Sequence, residues 1–280
     1  MQHMKHKMQN NKYNFKLEAI GEITISGFSE AGYKTGYIIE PFNIYLDAGV
    51  ECDIPANIVL VSHGHLDHIN ALYSILINSV KCNVLCDSTL LQPIQSMLNS
   101  MSTLNSGKNM TYNNWNPITS SEYIYTHSKN QIFNITTYEL SHRVKCRAYS
   151  IMIQKNKLKP EYIGMSGNEL KLLGDNIYNM IEYPLVLFIS DTDASILNEL
   201  PFSKHKLVIM ECTFFDASHS EEAVEKKHLH WNDVKKIVTM YKDTTFLLGH
   251  FSARYKENGM QVVKDMIEKY HSNVILLGYM

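Results

Sequence analysis

Residues 63–68 read His-Gly-His-Leu-Asp-His, four metal-ligand side chains within six positions. In an extended turn, residues i and i+2 project to the same side, so His63 and His65 can share one cation. Asp67 and His68 are adjacent where a helix would begin, diverge, and can reach a second cation. The spacing itself suggests two metals. The plainer alternative is a surface loop of merely hydrogen-bonded histidines, which suits a lone histidine better than this cluster directly after the apolar run Ile58–Ser62.

The arrangement recurs along the chain. Thr137–Leu140 leads to His142, Leu185–Ser190 to Asp191, Leu207–Met210 to Glu211, and Thr245–Gly249 to His250. Taken singly, Asp191 could be a helix cap, Glu211 a strand-end surface charge and His142 a satisfied core histidine. Taken together, strands that deliver their C-terminal residues to one edge gather these groups into a single cleft. Imidazole nitrogens and carboxylate oxygens without thiolate suit Zn²⁺, with Mn²⁺ or another divalent ion as a substitute. A carboxylate bridging two ions roughly 3.5–4 Å apart is an arrangement that cleaves phosphodiesters.

The elements that must position these groups are short, β-branched runs: Ile23–Ile25, Tyr37–Ile39, Ile44–Leu46, Ile58–Ser62, Asn83–Cys86, Tyr123–Tyr125, Ile132–Leu140, Arg147–Ile153, Leu185–Ser190, Leu207–Glu211, Thr245–Leu248 and Val274–Leu277. Helical spacing predicts helices over Ile69–Val80, Leu90–Met101, Ser220–Lys227, Trp231–Tyr241 and Asn258–His271. Many strands grouped with few helices fit a two-sheet sandwich with outer helices better than a strictly alternating parallel sheet. Asn105–Ser121 and Asn156–Gly174 read as loops. The polar residues 1–16, MQHMKHKMQNNKYNFK, read as a disordered tail without the apolar stretch of a secretory signal. Residues 17–280 are expected to form one domain.

Composition narrows the function classes. With 280 residues, 45% of them apolar, the chain can bury a large core. A net charge of −2 excludes a global basic field, so any polyanion site must be a local patch. Arg143, Lys145, Arg147, Lys155, Lys157 and Lys159 form such a patch, with no acidic residue between Arg143 and Pro160. It is either a phosphate track or a solvated strand edge. Tyr149, Tyr162 and Tyr255 could stack on bases or lie in the core. No apolar run approaches the ~18 residues of a membrane helix. Five scattered cysteines without a C-x-x-C pair argue for a reducing compartment, the cytoplasm by default.

With these residues in view, the chain resembles the metallo-β-lactamase superfamily and, within it, the short-form tRNase Z enzymes of the plant type. The resemblance runs from about Gly21 to Tyr255. It rests on His63–His68, Leu46-Asp47-Ala48-Gly49, Leu140-Ser141-His142, Ser190-Asp191-Thr192, Glu211-Cys212-Thr213-Phe214, the Glu221–His230 stretch and His250-Phe251-Ser252-Ala253-Arg254-Tyr255. The segment Lys157–Glu169 is similar to the family's tRNA-gripping arm, placed near residues 155–175. The resemblance implies an α/β (αββα) sandwich of two mixed sheets with outer helices. It also implies two Zn²⁺ per chain, one on His63, His65 and His142, the other on Asp67, His68 and His250, with Asp191 bridging.

On the same resemblance, Asp67, Glu211, His228 and Arg254 are the catalytic set. Glu211 and His228 pass a proton to the departing 3′-oxygen, and Arg254 approaches the scissile phosphate. Lys155, Lys157, Lys159 and Arg254 would bind substrate. The implied reaction is hydroxide attack that removes the 3′ trailer of precursor tRNA and leaves a 3′-hydroxyl, carried out by a homodimer. Ser190 in place of the usual Gly, and Ile69-Asn70-Ala71 in place of a Gly-containing helix start, depart from the pattern without removing a ligand. The competing readings are a phosphodiesterase for cyclic nucleotides or other small phosphodiesters, and a non-catalytic RNA-binding relative. All seven ligands argue against the latter.

Overall fold

The computed structural model describes residues 12–79, 81–110, 115–118, 120–128, 131–255, 261, 263–265, 267 and 271–277. Two seven-stranded sheets run in chain order. The first contains β1 (Lys12–Leu17), β2 (Gly21–Glu30), β3 (Lys34–Glu40), β4 (Ile44–Leu46), β5 (Ile58–Leu60), β6 (Asn83–Asp87) and β7 (Trp115–Ile118). The second contains β8 (Glu122–Ser128), β9 (Gln131–Leu140), β10 (Cys146–Leu158), β11 (Tyr178–Ile189), β12 (Leu207–Glu211), β13 (Thr245–Gly249) and β14 (Val274–Leu276). Both sheets are wired alike. In each, the first four strands pair antiparallel and the last four parallel.

Parallel strands are buried on both faces, and here they read as near-continuous apolar runs. Between the sheets lie Ile39, Leu46, Ile58 and Leu60 from the first, against Phe133, Tyr149, Ile151, Phe188 and Ile209 from the second. The outer face of the first sheet, with Ile38, Tyr45, Val59 and Val84, is covered by Ile69, Leu72, Leu76, Ile94 and Leu98. These side chains come from α1 (Leu66–Ile69), α2 (Leu72–Ile77) and α3 (Leu91–Ser106). The outer face of the second sheet, with Leu187, Val208, Phe246 and Leu248, is covered chiefly by Trp231, Val234 and Val238 of α6 (Trp231–Met240). The expected order of layers, helix–sheet–sheet–helix, is present. Among the described residues no helix is long and apolar enough to cross a membrane.

The structure departs from the sequence reading at five places. Lys12–Lys16, assigned to the tail, lie in β1, whose alternating exposure matches the period-two pattern Lys-Tyr-Asn-Phe-Lys-Leu. Residues 1–11 of that tail lie outside the described residues. The helix expected over Ile69–Val80 is broken at Asn70–Ala71 into α1 and α2. α3 runs five residues beyond Met101 and stops where Gly107 takes a left-handed φ of 69°. In the stretch read as a loop after Asn156, β10 continues to Leu158 and α4 (Gly167–Leu173) follows, started by a Ser166/Glu169 capping box. Within the other loop, Trp115–Ile118 pairs with β6 as β7. The helix expected over Asn258–His271 lies largely outside the described residues.

The β10–β11 hairpin carries the segment that the sequence reading takes for the arm. A register shift lies between Ile151 and Met152, with Pro184 on the facing strand, and the hairpin stays in the core through Ile153 before β10 becomes exposed at Asn156.

Candidate metal centre

The C-terminal ends of parallel strands lie on one edge of a sheet, which is where α/β proteins place their chemistry. Asp47 follows β4 and His63 lies just beyond β5, while Asp191 follows β11, Glu211 ends β12 and His250 follows β13. β9 runs in the same direction as β11, because both are antiparallel to β10, so His142 arrives at this edge too. The turn after β4 then clamps the His63–His68 segment. The Ala48 N–H donates to the His68 carbonyl at 2.7 Å and the Ala71 N–H to the Ala48 carbonyl at 2.8 Å. Gly49 passes so close that a Cβ there would stand 1.7 Å from the Asp67 carbonyl oxygen, so glycine is required.

Two groups of donors result, and Asp191 and His250 also come together with His228 as a third combination. His63, His65, His142 and Asp191 form one, and Asp67, His68 and His250 the other; the donor atoms of each group lie within 4.8 Å of one another. Asp191 stands between them. Its Oδ2 is 3.6 Å from His63 Nε2, 3.8 Å from His142 Nε2 and 3.5 Å from His68 Nε2, and its Oδ1 is 3.4 Å from His250 Nε2. Asp67 Oδ2 lies 3.5 Å from both His68 Nε2 and His250 Nε2, and also accepts the Gly32 N–H.

Hydrogen bonds around the rim fix which nitrogen of each ring faces inward. His68 Nδ1 donates to Asp47 Oδ2 at 2.7 Å and His142 Nδ1 to the Lys227 carbonyl at 3.0 Å; both partners can only accept. The Ser62 hydroxyl donates to Asp47, so at 2.9 Å it accepts from His63 Nδ1. The Thr213 hydroxyl donates to Glu211, so at 3.1 Å it accepts from His250 Nδ1. All four rings therefore turn their Nε2 into the centre. His68 Nε2 and His250 Nε2 face each other at 3.3 Å, and His142 Nε2 faces His65 Nδ1 at 3.4 Å. Lone pairs at such distances repel unless a proton or a cation lies between them. His63 Nε2 and Asp191 Oδ1 are buried with no hydrogen-bond partner. The donor set fits divalent cations.

The field of the site agrees. Burial lowers the His63 ring well below the ordinary histidine range. Burial acts the same way on His68, but the Asp191 and Asp47 carboxylates outweigh it and hold that ring well above. Burial alone would raise the Asp191 carboxyl, yet the His250 and His68 rings hold it well below the usual carboxylate range. Burial likewise lowers the His65 and His142 rings, which keeps them neutral, the form that binds a cation.

Beside the donors, Glu211 is saturated. Its Oε1 accepts the Thr192 N–H at 2.7 Å and His228 Nδ1 at 3.1 Å, and its Oε2 accepts the Thr213 hydroxyl at 2.6 Å and the Leu229 N–H at 3.2 Å. Burial lowers His228, the Glu211 carboxylate outweighs it, and the ring is pushed up to about 9. His228 follows α5 (Ser220–Lys226) and is not a helix cap. His230 is: its Nδ1 accepts the Asn232 N–H at the start of α6.

The remaining sequence-selected residues are less concentrated. Arg254 is held by Glu222 in a two-pronged ion pair and lies over the Phe214 ring. On the arm, Lys155 donates to the Ala19 carbonyl at 2.7 Å, Lys159 makes a long contact of 3.4 Å with Asn176, and Lys157 is exposed. Tyr149 and Tyr255 are buried, their hydroxyls bonded to main-chain groups, while Tyr162 is half-buried. The sequence reading gave no role to Asp47, Ser62, Thr213 or Lys227, which orient the ligand rings. Asp47 had the same signal as the ligands, a carboxylate directly after an apolar run; a backbone carbonyl such as that of Lys227 has none.

No family model matches the chain. It is 28% identical to tRNase Z TRZ1 of Arabidopsis thaliana over 246 residues, 82% of this chain and 86% of that protein. To the chloroplastic tRNase Z TRZ2 of the same plant it is 23% identical over 279 residues, 94% of this chain and 75% of that one. Among solved structures, the metallo-β-lactamase fold protein YhfI of Bacillus subtilis superposes with a TM-score of 0.61 at 16% identity, covering 92% of this chain and 96% of YhfI. The chain has the metallo-β-lactamase fold. Human tRNase Z, short form, superposes with a TM-score of 0.53 at 12% identity, covering 91% of this chain and 97% of that one. In this metallo-β-lactamase fold, the donor cluster sits at the shared edge of both sheets.

Proposed function

We propose that the chain is an endoribonuclease of the tRNase Z type, which removes the 3′ trailer of precursor tRNA with two divalent cations, Zn²⁺ by preference. His63, His65 and His142 would hold one ion and Asp67, His68 and His250 the other, with Asp191 within reach of both. The observation that carries the reading is Asp191, buried between two converging donor groups, with the saturated Glu211–His228 pair at its side. Ions bound there supply Lewis acidity to a phosphodiester and lower the pKa of water.

The chain's own groups complete the chemistry. Glu211 fixes the His228 Nδ1–H and keeps the ring charged, so its other nitrogen carries a proton for the departing 3′-oxygen. Asp67, held by the Gly32 N–H, faces both His68 and His250. RNA, rather than another phosphodiester, is favoured by similarity to the two Arabidopsis tRNase Z proteins and by the β10–β11 arm. Lys155, Lys157 and Lys159 would meet the RNA backbone there. The protein would act as a homodimer in a reducing compartment, the cytoplasm, although one relative is chloroplastic.

A small-phosphodiester activity is the second reading. It is favoured by the pairing of Lys145 with Glu139, Arg147 with Asp87, and Lys155 with main-chain carbonyls, which leaves fewer cations for a polyanion. Incubation with 3′-extended precursor tRNA and with bis-p-nitrophenyl phosphate, with and without chelator, separates the two. The tRNA reading expects cleavage of both, loss with chelator and return with Zn²⁺; hydrolysis of the small ester alone would leave only the second reading.

A further inference from the structure

Arg254, expected at a substrate phosphate, is already engaged. Glu222 Oε2 accepts from its Nη1 at 2.7 Å and Glu222 Oε1 from its Nη2 at 2.8 Å. Lys226 donates to the same Oε1 at 2.5 Å, and Arg254 Nε donates to Ser252 Oγ at 3.0 Å. The guanidinium carbon lies 5.2 Å from the centre of the Phe214 ring, which in turn is 6.4 Å from the His228 ring. Arg254 is thus one ring behind the acid that would protonate the leaving group. A phosphate flanking the scissile one would come within reach of such a group.

We propose that Glu222 stands in for that phosphate: the flanking phosphodiester binds by taking the place of the Glu222 carboxylate on Arg254, and Glu222 thereby sets substrate affinity without entering the chemistry. The inference rests on the reading of the site as a phosphodiester hydrolase. A guanidinium fork matches the two oxygens of a carboxylate and two non-bridging oxygens of a phosphodiester in the same way. The exchange replaces one two-pronged pair by another of the same geometry, so the Arg254 hydrogen bonds lost to Glu222 are remade to the phosphate, and both side chains remain partly open to solvent, 33% and 27% exposed. The hydrogen bonds of the Glu222 side chain go to these two cations, so no main-chain group of α5 depends on it. While in place, Glu222 also repels an incoming polyanion, and Lys226 becomes a second free cation once it is neutralised.

The test is Glu222→Gln in the zinc-loaded enzyme, assayed on 3′-extended precursor tRNA over a range of salt. KM is expected to fall about three- to tenfold at low salt, with kcat within about twofold of wild type. The log–log salt dependence of kcat/KM should steepen by roughly one phosphate contact, about 0.7–0.9 in slope. In an Arg254→Ala background, Glu222→Gln should change KM little, because the group it competes for is gone. A KM that is unchanged or higher, or an equal gain in the Arg254→Ala background, overturns the exchange while leaving the nuclease reading intact. Wild-type enzyme that leaves precursor tRNA uncut overturns that reading, and the exchange with it.

Discussion

In the N-terminal sheet, β4, β5 and β6 end side by side, yet all of its donors come from residues 63–68, after β5. In the C-terminal sheet the donors His142, Asp191 and His250 follow three different strands and span more than a hundred residues. The first set is local: once the Asp47–Gly49 turn seats it, His63, His65, Asp67 and His68 have little freedom left. The second set exists only when β9, β11 and β13 are in register. The partners that orient the rings differ as well. His63 and His68 are held by the side chains of Ser62 and Asp47, His250 by that of Thr213, and His142 by a main-chain carbonyl. A side chain can be replaced by mutation, whereas a carbonyl moves only if the backbone does.

Asp191→Ala tests the comparison most severely, because this residue of the C-terminal set also faces the N-terminal one. Hydrolysis of bis-p-nitrophenyl phosphate should fall by roughly a thousandfold or more and metal content should drop below two per chain. His63→Ala should abolish turnover as well while retaining an ion on Asp67, His68 and His250. Two ions retained after purification of Asp191→Ala would mean that the sets are independent.

His228→Ala separates proton donation from metal binding. A general acid contributes about 10²–10⁴-fold. A loss of that order is expected with a ribose 3′-hydroxyl as leaving group, and almost none with p-nitrophenolate. Metal content should not change. Loss of zinc in this variant would assign His228 to the ligands, and a selective defect in His230→Ala would move the acid to a residue that here caps α6.

Orientation through side chains should be measurable on both sides. Asp47→Asn leaves His68 Nδ1 without a carboxylate acceptor, and Thr213→Val removes the acceptor of His250. Each should weaken metal binding about 10–100-fold in a competition titration with a chromophoric chelator. Asp47→Asn should be the worse, since Asp47 also accepts the Ser62 N–H and hydroxyl and so reaches His63. Equal affinities in wild type and both variants would show that packing alone orients the rings.

The contrast between the two sets explains what the sequence disclosed. His63–His68 is legible because its chemistry is written in consecutive residues. Asp191, Glu211 and His250 are legible because parallel strands turn the ends of apolar runs into neighbours. β1 and α4 carried ordinary signals, the alternation of Lys12–Leu17 and the Ser166/Glu169 capping box, masked by polar composition on either side. The Glu222–Arg254 pair and the Lys227 carbonyl were not legible, because they depend on where α5 lies against the loop after β13 and on one backbone angle.

That angle permits the smallest and most discriminating test. Lys227 ends α5 in the left-handed region, with φ 55° and ψ 54°, and its carbonyl accepts His142 Nδ1. A left-handed conformation costs a non-glycine residue about 1–2 kcal/mol, and glycine gives back about 0.5–1 kcal/mol through its freer unfolded chain. Lys227→Gly should therefore stabilise the protein by about 0.5–1 kcal/mol, raising the Tm by about 1–3 °C for a chain of this size. Lys227→Ala, which keeps the strained angle, should give no such gain. The Lys227 side chain contributes only a 3.2 Å contact to Ser141 and a long, 3.9 Å approach to Asp193, so its loss should count for little. Zinc affinity should be unaltered in both variants, because the carbonyl is still there. If Lys227→Gly loses zinc while its Tm holds, the ammonium group, acting through Ser141, is what seats His142, and the contrast between side-chain and main-chain orientation fails at the residue that defines it.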